Sequence, residues 1–477
     1  MPEPTDWSTA VKVKIQVVIE NDEGQVEDVQ QVACLRRGPL TPEELGLNLA
    51  EARQILHDVQ QSMVTSQVAE YIQGQRPCPR CSVRRSQKGR HEIVFRTLFG
   101  KLRLDSMRLH HCDCDPGQPT GTFSPLTELL KERTSPELLY LEAKWSSLLS
   151  FGVSCDLLGE VLPIGDELNT TTLRNNLHYV AERMENELGE ERESFLAETV
   201  SLRPEEQPIP PGKPAFTLGL DGAYVHAGGR AGWFEVIVGK SVSAAGDGKY
   251  FGFVHNIDEK PKRRLYEVLR SQGLEADQPV QFLSDGEETV RNLQMYISPQ
   301  SEHWLDWFHI TMRLTVMGQI RKGLKGVEST SLAEQAERDL ESLKWHLWNG
   351  NVEPALRLID GLKHLLAGDE ISAERQKLLK AIRDFGTYIA TNQAFIPDYG
   401  DRHRNHETIS TAFTESAVNQ LVSRRMVKQQ QMHWSQRGAH LLLQVRAQVL
   451  NNELRETFRR WYPGMKAETE TAVKLAA

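Results

Sequence analysis

The chain lacks any run approaching the roughly 18 consecutive apolar residues of a membrane-spanning helix; its best stretch, around Leu441–Leu443, is far shorter. Its opening, MPEPTDWSTA, has neither the basic nor the apolar region of a secretory signal. A soluble, cytoplasmic protein with no membrane partner is therefore expected. Cysteine is scarce, six in 477 residues, and without a secretory signal a disulfide framework is not expected. With 39% hydrophobic and 25% charged residues, usage is ordinary for a globular chain, which excludes collagen-like, mucin-like and wholly disordered classes. Net positive charge is also missing. The 56 basic residues against 65 acidic ones leave −9, which at face value argues against a nucleic-acid partner. The length is enough for about three domains of roughly 150 residues each.

The charge is segregated, however. Between Arg76 and His111 lie ten basic residues, Arg84, Arg85 and Arg90 among them, opposed only by Glu92 and Asp105. Between Leu421 and Arg446 lie Arg424, Arg425, Lys428, Arg437 and Arg446 with no acid. Affinity for DNA follows the phosphates neutralised locally, so such islands suit a phosphate-binding surface; the alternative is a solvated basic face. Four of the cysteines fall in the first island, as Cys78-Pro-Arg-Cys81 and Cys112-Asp113-Cys114. The stretch between them alternates apolar and basic residues around a Phe-Gly turn, as a β-hairpin does. A hairpin returns the second pair to the first, and four thiolates can then hold Zn²⁺ tetrahedrally. Because the second pair is C-x-C, His110 or His111 could replace one thiolate.

Residues 1–75 read as a hairpin about the turn at 21–24, then a helix opened by a capping box at Thr41–Glu44 and running towards Tyr71. The zinc-ribbon-like segment spans 76–120. Residues 121–203 read as helical, with a helix capped at Thr134–Glu137, a short helix near Ser154–Val161 and a longer one over Asn169–Glu187. Short helix, turn and polar-started helix outline a helix-turn-helix, with Thr170–Arg174 at the groove-facing start; three core helices without DNA contact are the alternative. Five prolines in 204–214 mark a stiff linker. From 215 to 310 three meandering strands precede alternating helix and strand, with HWLDWFH as the last strand, pointing to a mixed α/β sheet of the ribonuclease H type. Residues 311–407 form a helical insertion, and 408–477 return to the core and end in helices.

Asp221 and Asp285 each follow an apolar strand pattern and each precede Gly. Strand ends are where an open α/β sheet presents functional groups. Two carboxylates converging there repel unless a divalent cation lies between them. With a third acid they would hold two Mg²⁺ ions about 3.5–4 Å apart, the arrangement for phosphodiester displacement. A single Asp-Gly at a strand end is as readily a plain turn.

Three runs, GLDGAYV, VQFLSDGEETVRNLQMYISPQSEHWLDWFHITMRLTV and FTESAVNQLVSRRMVKQQQMHWSQRGAHLLLQVR, resemble bacterial insertion-sequence transposases of the Kra-type family, distant relatives of Mutator-like transposases. The resemblance covers most of residues 70–455. It implies a DDE triad on a ribonuclease H-like core, interrupted by a helical insertion before the last acid. On this chain the triad falls on Asp221, Asp285 and Glu415, with Glu407 and Asp401 as rivals for the third place. The family's D-x-x-H signature falls on Asp306 and His309, either beside the metal or with His309 orienting Asp306. The implied cofactors are Mg²⁺ (or Mn²⁺) at the acids and structural Zn²⁺ at Cys78, Cys81, Cys112 and Cys114. The implied partners are double-stranded DNA, as terminal inverted repeats and target, and a second copy of the chain in a dimer near the bacterial nucleoid. Arg84, Arg85, Arg90, Arg174, Arg424, Arg425 and Lys428 are the expected DNA contacts. Trp307, Trp345, Trp348 and Trp434 serve either as base-stacking platforms or as core. The competing functions are a non-catalytic DNA-binding regulator and a structure-selective nuclease on the same core.

Overall fold

The computed structural model describes residues 11–38, 41–114, 121–164, 168–201, 216–228, 232–243, 246–275, 278–287, 293, 301–324, 330–368, 371–426 and 433–465. The expected linker at 204–214 and most of the helix expected over EETVRNLQMYI lie outside them. The chain divides into two units, Met1–Tyr179 with Glu453–Ala477, and Val180–Asn452. Among the described residues no helix is long and apolar enough to cross a membrane.

The first unit opens with the antiparallel hairpin β1 (Val11–Glu20) and β2 (Val26–Arg37). Asn21 sets its turn, Oδ1 accepting from the backbone N–H groups of Glu23 and Gln25. Helix α1 (Leu49–Gly74) starts later than the sequence suggests. Thr41–Glu44 closes only a turn, with Glu44 N donating to Thr41 O. The working box is Asn48 with Glu51, each side chain bonding the other's backbone N–H, so two otherwise unpaired donors are satisfied at the true start. The cysteine-flanked hairpin forms as expected: β3 (Gln87–Thr97) pairs with β4 (Gly100–His110) through a two-residue turn at Leu98-Phe99, and β5 (Thr122–Phe123) adds to β4. Leu102 and Leu104 alternate inward on β4 between the outward Arg103 and Asp105, and past a break in the alternation Met107 and Leu109 are buried in a second cluster with Ile72.

Four helices follow, α2 (Pro125–Leu129), α3 (Pro136–Leu148), α4 (Phe151–Val161) and α5 (Thr170–Glu187). Ser135 and Pro136 start α3 where the sequence places it, and Ser150 caps α4 by accepting from Val153 N. The chain passes into the second unit within α5.

The second unit adds α6 (Leu196–Ser201), then β6 (Phe216–His226), β7 (Trp233–Val242), β8 (Gly248–Val254), α7 (Pro261–Ser271), β9 (Val280–Ser284) and β10 (Glu302–Leu305). The five strands form one mixed sheet in the order β10-β9-β6-β7-β8. β6 to β8 are an antiparallel meander, and β9 and β10 run parallel to β6. Leu218, Leu220, Ile237, Phe253 and Phe282 are among the residues that fill the core beside α7.

Two strand ends differ from the sequence reading. β6 does not stop at Asp221 but continues to His226, because β7 keeps pairing with it after β9 has ended. HWLDWFH is a strand only to Leu305: Asp306 caps α8 (Trp307–Lys322) by accepting from Phe308 N, which turns the rest helical. Then come α9 (Thr330–Trp348), α10 (Val352–Leu366), α11 (Ala373–Thr391) and α12 (Tyr399–Arg404), the helical block the sequence indicated. They share a core that includes Ile310, Leu343, Ile359, Ile382 and Tyr399. Helix α13 (Ala412–Val418) runs through a π-helical turn (Asn419–Ser423) into α14 (Arg424–Met426). α15 (Gln436–Leu450) then packs on β8. The last helix, α16 (Leu454–Trp461), belongs to the first unit, where Phe458 meets Tyr140 edge-on at 5.5 Å and Arg455 pairs with Glu137 at 2.8 Å.

Arg264 ties the second unit together. Buried on α7, it bonds Asp258 at 2.8 Å, Glu185 at 2.9 Å and Gln444 at 2.7 Å. Removing the cation from a buried network leaves its carboxylates unpaired, typically at a cost of about 3–5 kcal/mol. Arg264→Met should lower the urea-unfolding free energy by about that much, with a smaller loss for Arg264→Lys, which keeps the charge.

Candidate functional site

The four thiols meet. Cys78 and Cys81 precede β3 and Cys112 and Cys114 follow β4, so the hairpin brings both pairs to its open end. Their sulfurs lie within 4.8 Å of one another, with Cys78 to Cys114 at 3.5 Å and Cys81 to Cys112 at 3.4 Å. Zn–S bonds of about 2.3 Å put tetrahedral sulfurs about 3.8 Å apart, so the set fits zinc with little adjustment. No disulfide competes, since all six cysteines are free. Backbone N–H groups of Cys81 and Arg80 hold the Cys78 thiol down to about 6, whereas contact with Cys112 and the other cysteine sulfurs pushes Cys114 up. His111 lies against Phe123 at 4.8 Å, and neither His110 nor His111 joins the cluster. The four cysteines suffice as ligands.

The second group is an acidic row. Every paired position of β6 and β9 is 64 residues apart, Phe216 with Val280 through Gly219 with Leu283. Asp221 and Asp285 are also 64 apart, so they continue this register just past the last pair. β10 pairs with β9 at a constant offset of 21, which puts Asp306 beside Asp285, and Asp306 N donates to Ser284 O at 2.8 Å. Paired residues of parallel strands share a face, so the three aspartates line one edge of the sheet. Burial raises the Asp221 carboxyl above its ordinary value; nearby His309 opposes this and Asp285 and Asp306 add to it. Burial likewise raises Glu287, with help from Glu235, Asp285 and Asp221.

Glu235 and Glu287 were not singled out from sequence. A Cβ on Gly222 would stand 3.2 Å from Glu235 Oε1 and 3.8 Å from Glu287 Oε2, so both carboxylates border Gly222, the residue after Asp221. Glu287 was readable in Asp285-Gly286-Glu287, but Glu235 comes close only through the β6–β7 register.

Glu415 lies exposed in the first turn of α13, which packs across β6 and β7. Its neighbours Phe413 and Thr414 rest on Gly219, on the face to which Asp221 belongs. Among the described residues, Asp221, Asp285 and Glu415 do not form a group with all ligand oxygens within 4.8 Å. Two ions about 3.5–4 Å apart need a longer span between their outer ligands. Asp306 is fully buried and already bonded to Phe308 N, Thr411 N and the Thr411 hydroxyl, with His309 Nε2 at 3.6 Å. At 3.6 Å His309 adjoins Asp306 without a hydrogen bond to it, and it also lies close enough to Asp221 to act on its charge. Of the rivals, Asp401 pairs with Arg404 and Glu407 with Arg402.

Glu185, Asp258 and His440 form a further group whose ligand atoms lie within 4.8 Å of one another, close enough to hold a metal ion. They border a cavity of about 330 Å³. Against burial, His440 and Arg264 hold Glu185 down to about 2. Both carboxylates thus already face the Arg264 guanidinium.

The basic residues divide. Arg84, Arg90, Arg174 and Arg424 are exposed, although Arg90 pairs with Asp105 at 2.6 Å. Arg85 is half-buried, donating to Gln75 O and lying over the Phe123 ring. Arg425 does not reach the surface: it is 3% exposed and stacks on Trp434. Arg446 is buried on Gln420 O, and Arg437 pairs with Glu182. Of the four described bases of the second island, Arg425 and Arg446 are therefore turned inward by packing, while Arg424 and Arg437 stay exposed. Lys428 lies outside the described residues. Trp307, Trp348 and Trp434 are packed, and Trp345 is 54% exposed.

No protein-family model matches this chain, and no curated protein matches it.

Two measurements test these centres. Purified protein should carry one zinc per chain by metal analysis, and Cys78→Ser with Cys81→Ser should lose it and destabilise the β3–β4 hairpin; a zinc-free wild type that unfolds normally would refute the cluster. A carboxyl whose pKa is raised on folding costs stability as pH climbs through the raised value, and cation binding removes that cost. Mn²⁺ should therefore raise the melting temperature at neutral pH, by about 2.7 kcal/mol of stabilisation at one hundred times Kd, and have little effect near pH 4. Asp221→Asn should abolish the Mn²⁺ effect without destabilising the ion-free protein.

Proposed function

We propose that the protein is a DNA transposase of an insertion sequence, with a ribonuclease H-like core in its second unit. The observation that carries this reading is the shared register of Asp221 and Asp285 on neighbouring parallel strands, with burial and the nearby Asp285 raising the Asp221 carboxyl. The strand order, an antiparallel meander extended by two parallel strands, supports the core assignment. So does a helical block between Asp306 and Glu415, as the resembling family would require. The outward basic face of the cysteine hairpin and the exposed Arg174 support contact with terminal repeats.

Divalent ions held by Asp221 and Asp285, with Glu415 as third ligand, would supply activation of the attacking oxygen and stabilisation of the leaving oxygen. Water first frees a 3′-hydroxyl at the element end. That hydroxyl then displaces a phosphodiester oxygen in target DNA, so each bond broken is matched by one formed and no protein nucleophile is required. Joining two ends calls for at least two copies of the chain on DNA.

Incubation with Mg²⁺ and DNA carrying the element's own ends should give joined products. Asp285→Ala should cut cleavage and joining by about a hundred- to a thousandfold, the scale of losing a principal transition-state contact, while gel-shift binding persists. Cleavage without joining would identify a nuclease instead. Binding with no metal-dependent cleavage by the wild type would identify a regulator.

A further inference from the structure

We propose that Asp306 and Thr411 form a clasp that positions Glu415 at the acidic edge of the sheet, Asp306 acting as a positioning residue rather than a metal ligand. This rests on the reading of Glu415 as the third ligand.

Asp306 is fully buried, and both of its oxygens are engaged. Oδ1 accepts from Phe308 N at 2.9 Å and Thr411 N at 3.0 Å. Oδ2 accepts from the Thr411 hydroxyl and lies 3.6 Å from His309 Nε2. Few lone-pair directions remain for an ion. What this carboxylate holds is the start of α13: Thr411 is its N-cap, and Thr411 O accepts from Thr414 N at 2.6 Å and Glu415 N at 3.1 Å. A second rung, Trp307 N to Ile409 O at 3.1 Å, fixes the approach to that cap.

The helix it holds is seven residues long and passes straight into a π-helical turn. So short a helix has little stability of its own, and tertiary contacts must set its place. Gly219 supplies the second support. A Cβ there would lie 1.9 Å from Thr414 Oγ1 and 2.8 Å from Phe413 Cζ, so only glycine lets α13 sit this close to β6, two residues before Asp221. The clasp and the seat together fix the height and rotation of the turn bearing Glu415. The two clasp residues are 105 apart in sequence and bracket the helical block, so the same contact ties the block's entry to its exit.

The test uses full-length protein and two readouts. Thr411→Val deletes the hydroxyl at nearly constant shape, Thr411→Ser restores it, and Asp306→Asn removes the charge. Amide exchange across 411–418 should quicken about tenfold or more in Thr411→Val and Asp306→Asn, with β6 and β9 unchanged, and recover in Thr411→Ser. Unchanged exchange would overturn the clasp. Mn²⁺ affinity should fall about tenfold in Thr411→Val, and Thr411→Val combined with Glu415→Gln should bind no more weakly than Glu415→Gln alone. Additive losses, or normal Mn²⁺ affinity in Thr411→Val, would overturn the positioning role. If Glu415→Gln itself binds Mn²⁺ normally, the reading of Glu415 as a ligand fails and positioning fails with it, a result distinct from loss of the clasp because exchange still quickens.

Discussion

Parallel pairing between β6, β9 and β10 governs where this unit's aspartates meet. Because the offsets are constant along each pair, the residue just past the last rung on one strand must stand beside its counterpart on the next. Asp221, Asp285 and Asp306 occupy those places. A one-residue slip would send alternate side chains to the other face, and the buried strand residues Leu218, Leu220, Phe282 and Leu283 resist such a slip by filling the core. Hydrophobic packing thus fixes the acids' alignment, although the acids themselves oppose it by repulsion.

The same edge explains how the sheet accommodates a helical block of nearly a hundred residues. Loop closure grows only slowly more costly with length, provided the ends meet and the inserted chain satisfies itself. The block has its own apolar core. Its ends meet where Asp306 receives Thr411, and Tyr399 adds a tie by donating to Leu305 O at 2.7 Å. Tyr388 of α11 also feels the acids: burial raises its hydroxyl well above the ordinary value, with Asp285 and Asp306 adding to the shift and Arg313 opposing it. The block is therefore electrostatically part of the acidic edge as well as its neighbour in sequence.

Much of this was legible beforehand because it depends on local pattern. The cysteine hairpin followed from alternation around Phe99-Gly100, the α3 start from Ser135-Pro136, and the Asp285 strand end from an apolar run. What sequence could not supply was any choice that depends on a partner strand or on competing caps. β6 overshoots Asp221 because β7 extends beyond β9. Asn48 displaces Thr41 as the cap of α1 because Glu51 reciprocates. Arg425 and Arg446 read as surface bases until packing turns them inward, and nothing local to their helices distinguishes them from Arg424. Glu235 enters the acidic edge solely through cross-strand register. At the candidate site, Asp285 was visible as a strand end and Asp221 as an acid after an apolar run, while the support beneath Glu415 spans 105 residues and needed the fold.

The second unit handles its carboxylate clusters in two opposite ways, one neutralised by a buried cation and the other left with unbalanced charge. Asp258 and Glu185, with His440, lie close enough together to hold an ion, but Arg264 already neutralises them and Glu185 is held down to about 2. An ion entering there would have to displace or face a guanidinium that cannot lose its proton. Asp221, Asp285 and Glu287 form no ion pair among the described residues, and burial and mutual repulsion raise Asp221 and Glu287. Proximity alone would rank the first group higher. Charge balance reverses the order: a closed network is already stabilised, whereas an unpaired acidic edge stores repulsion that a divalent ion would release, and function sites are where such destabilisation is retained.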